Sequence, residues 1–256
     1  MPLRPSSIPA FPPSDDGDLL HFCRTCAFAP VCLTDGYDKQ ALSELHCLIE
    51  HVGPWPAGHR VFSPGELFHA IYAVRAGAIK TSVIDDQGRE QVQGFYLPGE
   101  LVGFEAIWPG RYPCFAIALD TTTLCRFSFP AMTTLALKLP GIQQELMRRM
   151  SQHLGQSAIL AGDHSADERL AAFLVGLGSR YAAMGMSARQ FRLPMTRTDI
   201  ANYLRLAPET VSRILRRFAD QGLIETDRRD IRLADAEQLR HLARHMLPPE
   251  AAPAGR

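Results

Sequence analysis

Six cysteines occur in the 256 residues, and three of them, Cys23, Cys26 and Cys32, fall within ten positions of one another. Thiolates are soft ligands for zinc and for iron–sulfur clusters, and the two-residue gap between Cys23 and Cys26 lets both sulfurs turn toward one metal. The five-residue gap to Cys32 suits a loop wrapped around something larger than a single ion. Such a site wants a fourth ligand, and Cys47, Cys114 and Cys125 are what remains. Cys47 shares helical periodicity with Leu42, Leu45, Leu48 and Ile49, which makes it a packing or surface residue on a short amphipathic helix predicted over Asp38 to His51. Cys125 lies in a strand-like run, Thr122 to Phe129, where a cysteine is ordinarily buried filler. Spacing alone leaves the fourth ligand open. Neither Cys114 nor Cys125 has a histidine and an acid in a recognisable activating arrangement, so nucleophilic catalysis has no support and no enzyme is expected.

A second set of chemically able residues lies between Thr196 and Asp220. Thr196 is a hydroxyl N-cap with Asp199 three residues on, and after a short break at Leu204 to Ala207 a second helix starts with Pro208 in its first turn. Two short helices joined by a tight turn make a helix-turn-helix, and Asp227-Arg228-Arg229-Asp230 between Leu223–Thr226 and Ile231–Leu233 adds a β-hairpin wing. In the second helix Val211, Ile214, Leu215 and Phe218 form one apolar face, leaving Glu209, Ser212, Arg213 and Arg216 on the other. Arg213 has the donors for guanine O6 and N7, Glu209 accepts from a cytosine amine, and Ser212 suits a base edge or a thymine methyl. Arg216 and Arg217, with Thr196 or Arg197, are placed to hold phosphates, which fixes register without reading sequence.

Charge agrees with that division. The chain has 27 Lys and Arg against 27 Asp and Glu, but residues 165–246 hold 14 against 10, a net +4 that leaves net −4 elsewhere. Double-stranded DNA is therefore permitted as partner by charge and argued by motif. No run is apolar enough for a signal peptide or a membrane span, which predicts a cytoplasmic protein with no membrane partner, where clustered thiols serve metal or redox chemistry.

The elements that must position these residues follow in order. Residues 1–20 read as a disordered leader, and residues 21–137 as the cysteine loop followed by an antiparallel β-roll with strands near Arg60–Phe62, Phe68–Val74, Ala78–Ile84, Gln91–Tyr96, Phe115–Leu119 and Thr122–Phe129. Asp85-Asp86-Gln87-Gly88 reads as a hairpin turn, and Gly65, Gly77, Gly99 and Gly103 as corners. Over residues 138–164 one long helix from Pro140 carries the stripe Ile142, Leu146, Met150, Leu154 and Ala158, suited to a seam with a second copy. The winged helix-turn-helix domain spans 165–246, opening with a helix from Ser165 to Ala183, and 247–256 is a tail. The fold class is thus α+β.

With these parts in this order, the chain resembles the CRP/FNR superfamily, and within it the FNR group of oxygen-responsive regulators. The resemblance spans about residues 20 to 246 and rests on Cys-x2-Cys-x5-Cys, on Gly94-Phe95 with Leu97 to Ile107, on Glu168-Arg-Leu-Ala-Ala-Phe, and on Glu209-x-x-Ser-Arg. It implies a cyclic-nucleotide-binding-like β-roll, a homodimer, contact with RNA polymerase, and a [4Fe-4S] cluster held by Cys23, Cys26, Cys32 and Cys125. The cluster-bearing dimer would bind TTGAT half-sites arranged as an inverted repeat and lose them when oxygen degrades the cluster. Four thiolates around a 2+ core carry net 2−, for which Arg24 is a nearby cation. Superfamily members that bind cyclic nucleotides need an Arg-Ser pair after the Gly-Glu of the roll. Here Gly99-Glu100 is followed by Arg111-Tyr112-Pro113-Cys114, so no cyclic nucleotide is expected. Pro208 before Glu209 also departs from the family pattern. The alternative is a small-molecule-responsive regulator of the same fold with structural zinc on the cysteines.

Overall fold

A computed structural model describes residues 49–138, 143–144, 146–151, 154 and 162–247; Cys23, Cys26, Cys32 and Cys47 lie outside them, as do the expected leader and most of the predicted Asp38–His51 helix. The end of that predicted helix is corrected: Ile49–Trp55 is strand β1. Its pairing with Thr122–Ser128 sets His51 opposite Cys125 and Val52 opposite Leu124, so a cross-strand ladder prevails over the leucine periodicity upstream.

Strands β2 (Arg60–Phe62), β3 (Ala70–Ala76), β4 (Ile79–Ile84), β5 (Glu90–Tyr96), β6 (Leu101–Val102), β7 (Phe115–Ala118) and β8 (Thr122–Ser128) follow. They form two antiparallel sheets, β1-β8-β3-β6 and β2-β7-β4-β5. The β4–β5 hairpin turns where predicted, with the Asp85 carboxylate accepting from the Gln87 and Arg89 amides, each at 2.9 Å. At Gly77 (φ 80°) a Cβ would come within 2.6 Å of the Asp120 and Thr121 oxygens, so only glycine fits that corner.

Alternation along the strands makes two cores. Ala70, Tyr72, Val74 and Leu124 face between the sheets with Phe62, Ile79, Tyr112 and Cys114. Ile71, Ala73 and Phe127 face outward and pack with Met132 of helix α1 (Phe129–Lys138), and Cys125 and Leu146 pack against the same cluster. The α1 helix begins at Phe129, which the sequence reading placed at the end of a strand. The described residues from 143 to 154 are helical, as expected of the long helix.

The C-terminal part comprises α2 (Ala166–Ala183), β9 (Gln190–Arg192), α3 (Arg197–Leu204), α4 (Pro208–Asp220), the hairpin β10 (Ile224–Asp227) and β11 (Asp230–Leu233), and α5 (Ala236–Ala243). Ser165 and Glu168 cap α2 reciprocally. The three-residue strand β9 is too short to announce itself, and α5, with Ala236, Leu239 and Ala243 buried at helical spacing, lies beyond the wing where the sequence reading placed no element. Ala78, Val92, Phe95 and Leu97 of the roll belong to the same apolar cluster as Leu170, Leu174, Ile200 and Phe218, so roll and C-terminal part share one core.

Candidate functional site

Thr196 caps α3 as its sequence predicted: its hydroxyl accepts from the Asp199 amide at 3.1 Å and donates to Asp199 Oδ2 at 2.6 Å. After Leu204 the chain turns through Arg205 in the left-handed region (φ 56°), and Pro208 opens α4. Val211, Ile214, Leu215 and Phe218 are buried, which turns Glu209, Arg213 and Arg216 to solvent with Ser212 half-buried between them. Among the described residues Glu209, Arg213 and Arg216 form no ion pair, so their hydrogen-bonding capacity is directed outward. Arg197 is exposed at the start of α3, and the wing presents Arg228 and Arg229. The exposed face of α4 thus carries side chains chemically able to meet base edges, with exposed cations on either side that are able to meet phosphates. Arg217 differs in having a partner: its exposed guanidinium pairs with Asp167 of α2 at the surface.

The roll grips this unit directly, which sequence reasoning missed. Lys80 on β4 reaches Asp199 at 2.7 Å and Glu90 at 3.0 Å. Burial opposes the Lys80 charge, but the bonds to both carboxylates outweigh it and hold the ammonium more firmly than in water. The Asp199 carboxyl is likewise opposed by burial and held below its ordinary range by Lys80 and Thr196. Asn202 clamps the edge of β5, accepting from the Val92 amide at 2.7 Å and donating to the Glu90 carbonyl at 2.5 Å. Arg180 bonds Glu100 at 2.6 Å and the Phe95 carbonyl at 2.6 Å. The one signal available in the sequence was Lys80 itself, a lone cation in a strand of apolar and hydroxyl residues.

The loop that follows Glu100 fills the roll. Arg111 turns to the Gly65 carbonyl at 2.6 Å. Tyr112 stacks on Phe62 with ring centroids 4.0 Å apart and donates its hydroxyl to the Ala70 carbonyl at 2.7 Å. Cys114 is fully buried, 3.8 Å from Glu105, and burial first and that carboxylate second push its thiol far above the ordinary cysteine range. A metal-ligating thiolate is disfavoured there. Cys125 is different. It is a half-buried thiol on the outer face of β8, and its Sγ lies 3.4 Å from Nδ1 of His51. Of the two cysteines among the described residues, Cys125 has the exposure and polar neighbour that fit a cluster ligand, and Cys114 does not.

Two family models match: the cyclic nucleotide-binding domain over residues 53–138 and the Crp-like helix-turn-helix domain over residues 168–242. The transcriptional activator protein Anr of Pseudomonas aeruginosa is 41% identical over 224 residues, 86% of this chain and 92% of that protein. The fumarate and nitrate reduction regulatory protein of Escherichia coli is 39% identical over 226 residues, 87% and 90%. Among solved structures, FixK2 from Bradyrhizobium japonicum aligns with a TM-score of 0.67 at 27% identity, covering 76% of this chain and 96% of that one. No helix among the described residues is long and apolar enough to cross a membrane. A β-roll joined to a winged helix-turn-helix, matched over most of its length by a named transcriptional activator and a named regulatory protein, places this chain in the CRP/FNR family of DNA-binding transcription regulators, which are not enzymes.

Proposed function

We propose that this regulator senses oxygen through a [4Fe-4S] cluster held by Cys23, Cys26, Cys32 and Cys125. The observation that carries the reading is the position of Cys125 on the outer face of the roll, packed against the same apolar cluster as Leu146 of the long helix. A ligand there sits beside helical residues that precede the DNA-binding domain in the chain. Strand β1, which the chain enters 17 positions after Cys32, is the neighbour of β8, so the cysteine loop leads into the strand next to Cys125. The bound cluster would supply an oxygen-labile group of net negative charge. Around it this chain's residues do the rest: Cys125 fixes one end to a rigid sheet, and the half-exposed outer face admits oxygen.

Met147, Met150 and Leu154 are exposed at helical spacing on the long helix, which supports a seam with a second copy of the chain. The dimer would present two α4 helices to TTGAT half-sites in inverted repeat and touch RNA polymerase from there, in the cytoplasm. Tyr112, Phe62 and Cys114 fill the roll interior, and Glu100 is committed to Arg180, which supports a regulator that takes no cyclic nucleotide. In anaerobically purified protein, visible absorbance with four iron and four sulfide per chain is expected to bleach in air together with loss of TTGAT-site binding. Colourless, iron-free protein with stoichiometric zinc and unchanged binding would overturn the reading in favour of a structural zinc site.

A further inference from the structure

We infer that His51 is a positioning residue for Cys125, donating a hydrogen bond from its Nδ1 to the cysteine sulfur when that sulfur carries the cluster. The inference rests on the proposed cluster and adds a residue that the four-cysteine pattern does not contain. Its basis is a cross-strand rung. His51 on β1 and Ala73 on β3 both lie directly opposite Cys125 on β8. Direct cross-strand partners bring their side chains within contact on one face of a sheet, and here the imidazole Nδ1 stands 3.4 Å from Sγ. That is an ordinary length for a nitrogen–sulfur hydrogen bond.

The rung is held on both sides. One residue before His51, Glu50 lies opposite Arg126 and bonds its guanidinium at 2.5 Å, which pins the register of β1 against β8. One residue after it, Val52 pairs with Leu124, whose side chain is buried between the sheets. Ala73 on the far side is small and buried, so the Cys125 sulfur meets an apolar wall on one flank and the imidazole on the other.

Proton accounting fixes the direction of the bond. A thiol could donate to an imidazole nitrogen, but a metal-bound thiolate has no proton to give, so in the ligated protein the hydrogen must come from Nδ1. Donation withdraws charge from the sulfur and holds it in one orientation. Both effects make the ligand harder to oxidise and slower to leave, as second-shell donors do at metal sites generally.

The test compares wild type with His51→Ala and His51→Gln, each purified and reconstituted without oxygen, in the full-length chain. Resonance Raman spectra in light and heavy water report hydrogen bonds to the cysteine sulfurs. Stopped-flow mixing with air-saturated buffer reports the rate of cluster loss. All three proteins are expected to hold cluster. His51→Ala should lose part of the deuterium-sensitive shift in the iron–sulfur stretching modes and bleach about 10-fold faster, within the range for loss of a second-shell partner. His51→Gln, whose amide can donate from a similar position, should recover part of both.

Unchanged isotope shifts and bleaching in His51→Ala overturn the inference and leave the cluster reading intact. A wild type that takes up no iron and sulfide overturns both. Loss of cluster from both variants, with circular dichroism and melting unchanged, overturns the donor role and makes His51 a ligand instead.

Discussion

The two cysteines among the described residues lie in opposite surroundings, one just ahead of β7 in the interior of the roll and the other on the outer face of β8. Inside the roll, Cys114 is sealed among Tyr112, Phe62 and Ala116, with a carboxylate that discourages ionisation. Outside, Cys125 has an imidazole beside it and partial access to solvent. The residue type is identical, so the difference lies in what the fold places around each sulfur. The roll matches a cyclic nucleotide-binding domain, yet its interior is packed with its own aromatic rings, and of the two thiols only the outer one has a polar side chain and solvent beside it.

The largest expected effect breaks that contrast outright. Cys125→Ala should abolish cluster uptake in anaerobic reconstitution, measured by iron and sulfide per chain, whereas Cys114→Ala should take up cluster as wild type does and lose only about 1 kcal/mol of stability to imperfect repacking. Equal loss of uptake in both would erase the distinction between the faces.

Next in size is the contact by which the roll holds the reader unit. Lys80→Met leaves the Asp199 carboxylate almost buried without its cation, and urea denaturation should show a loss of about 3 kcal/mol. The pH dependence has a definite sign. Asp199 is held below its ordinary range, so its contribution is present above about pH 4 and disappears as acid protonates it. Lys80 is held above its ordinary range, so its contribution persists until pH rises past about 10. The gap between wild type and Lys80→Met should therefore stay constant from pH 5 to 9 and close below about pH 4.

The smallest effects separate two arginines on one helix. Arg213→Ala should cost about 1–3 kcal/mol at a single base position of the site, while Arg216→Ala should weaken binding to every sequence alike and lower the salt slope by about 1. Binding titrations across site variants at several salt concentrations check both. Arg217→Ala, which removes the partner of Asp167, is expected to lower the stability of the fold by no more than about 1 kcal/mol in urea denaturation.

Much of this was legible before any coordinates. The hairpin at Asp85–Gly88, the capping pair Thr196 and Asp199, Pro208 at the start of α4 and the buried stripe Val211, Ile214, Leu215 and Phe218 all follow from local rules, because turns, caps and amphipathic periods are set by residues a few positions apart. What escaped was non-local. The identity of β1 depends on a ladder with residues some seventy positions later, and reading it as helix hid His51 from view. Two-residue β6 was too short to leave a pattern, and Lys80, Asn202 and Arg180 reveal their roles only when β5 lies against α3 and α2. The helix α4 is clear in sequence as a surface, whereas the pairing of Arg217 with Asp167, fifty positions upstream, has no local signal.

The core shared by roll and reader has a consequence for how a signal can move this molecule. Phe95 of β5 touches the rings of both Phe173 and Tyr203, so the DNA-binding unit is not suspended from a tether. Swinging it by a few degrees would part those rings and put apolar surface in water before any new contact repaid the loss. Intermediate tilts are therefore the least stable ones. If the proposed cluster biases that seat, a graded loss of cluster would be read at the DNA as a change in the number of molecules seated, not in how far each has turned.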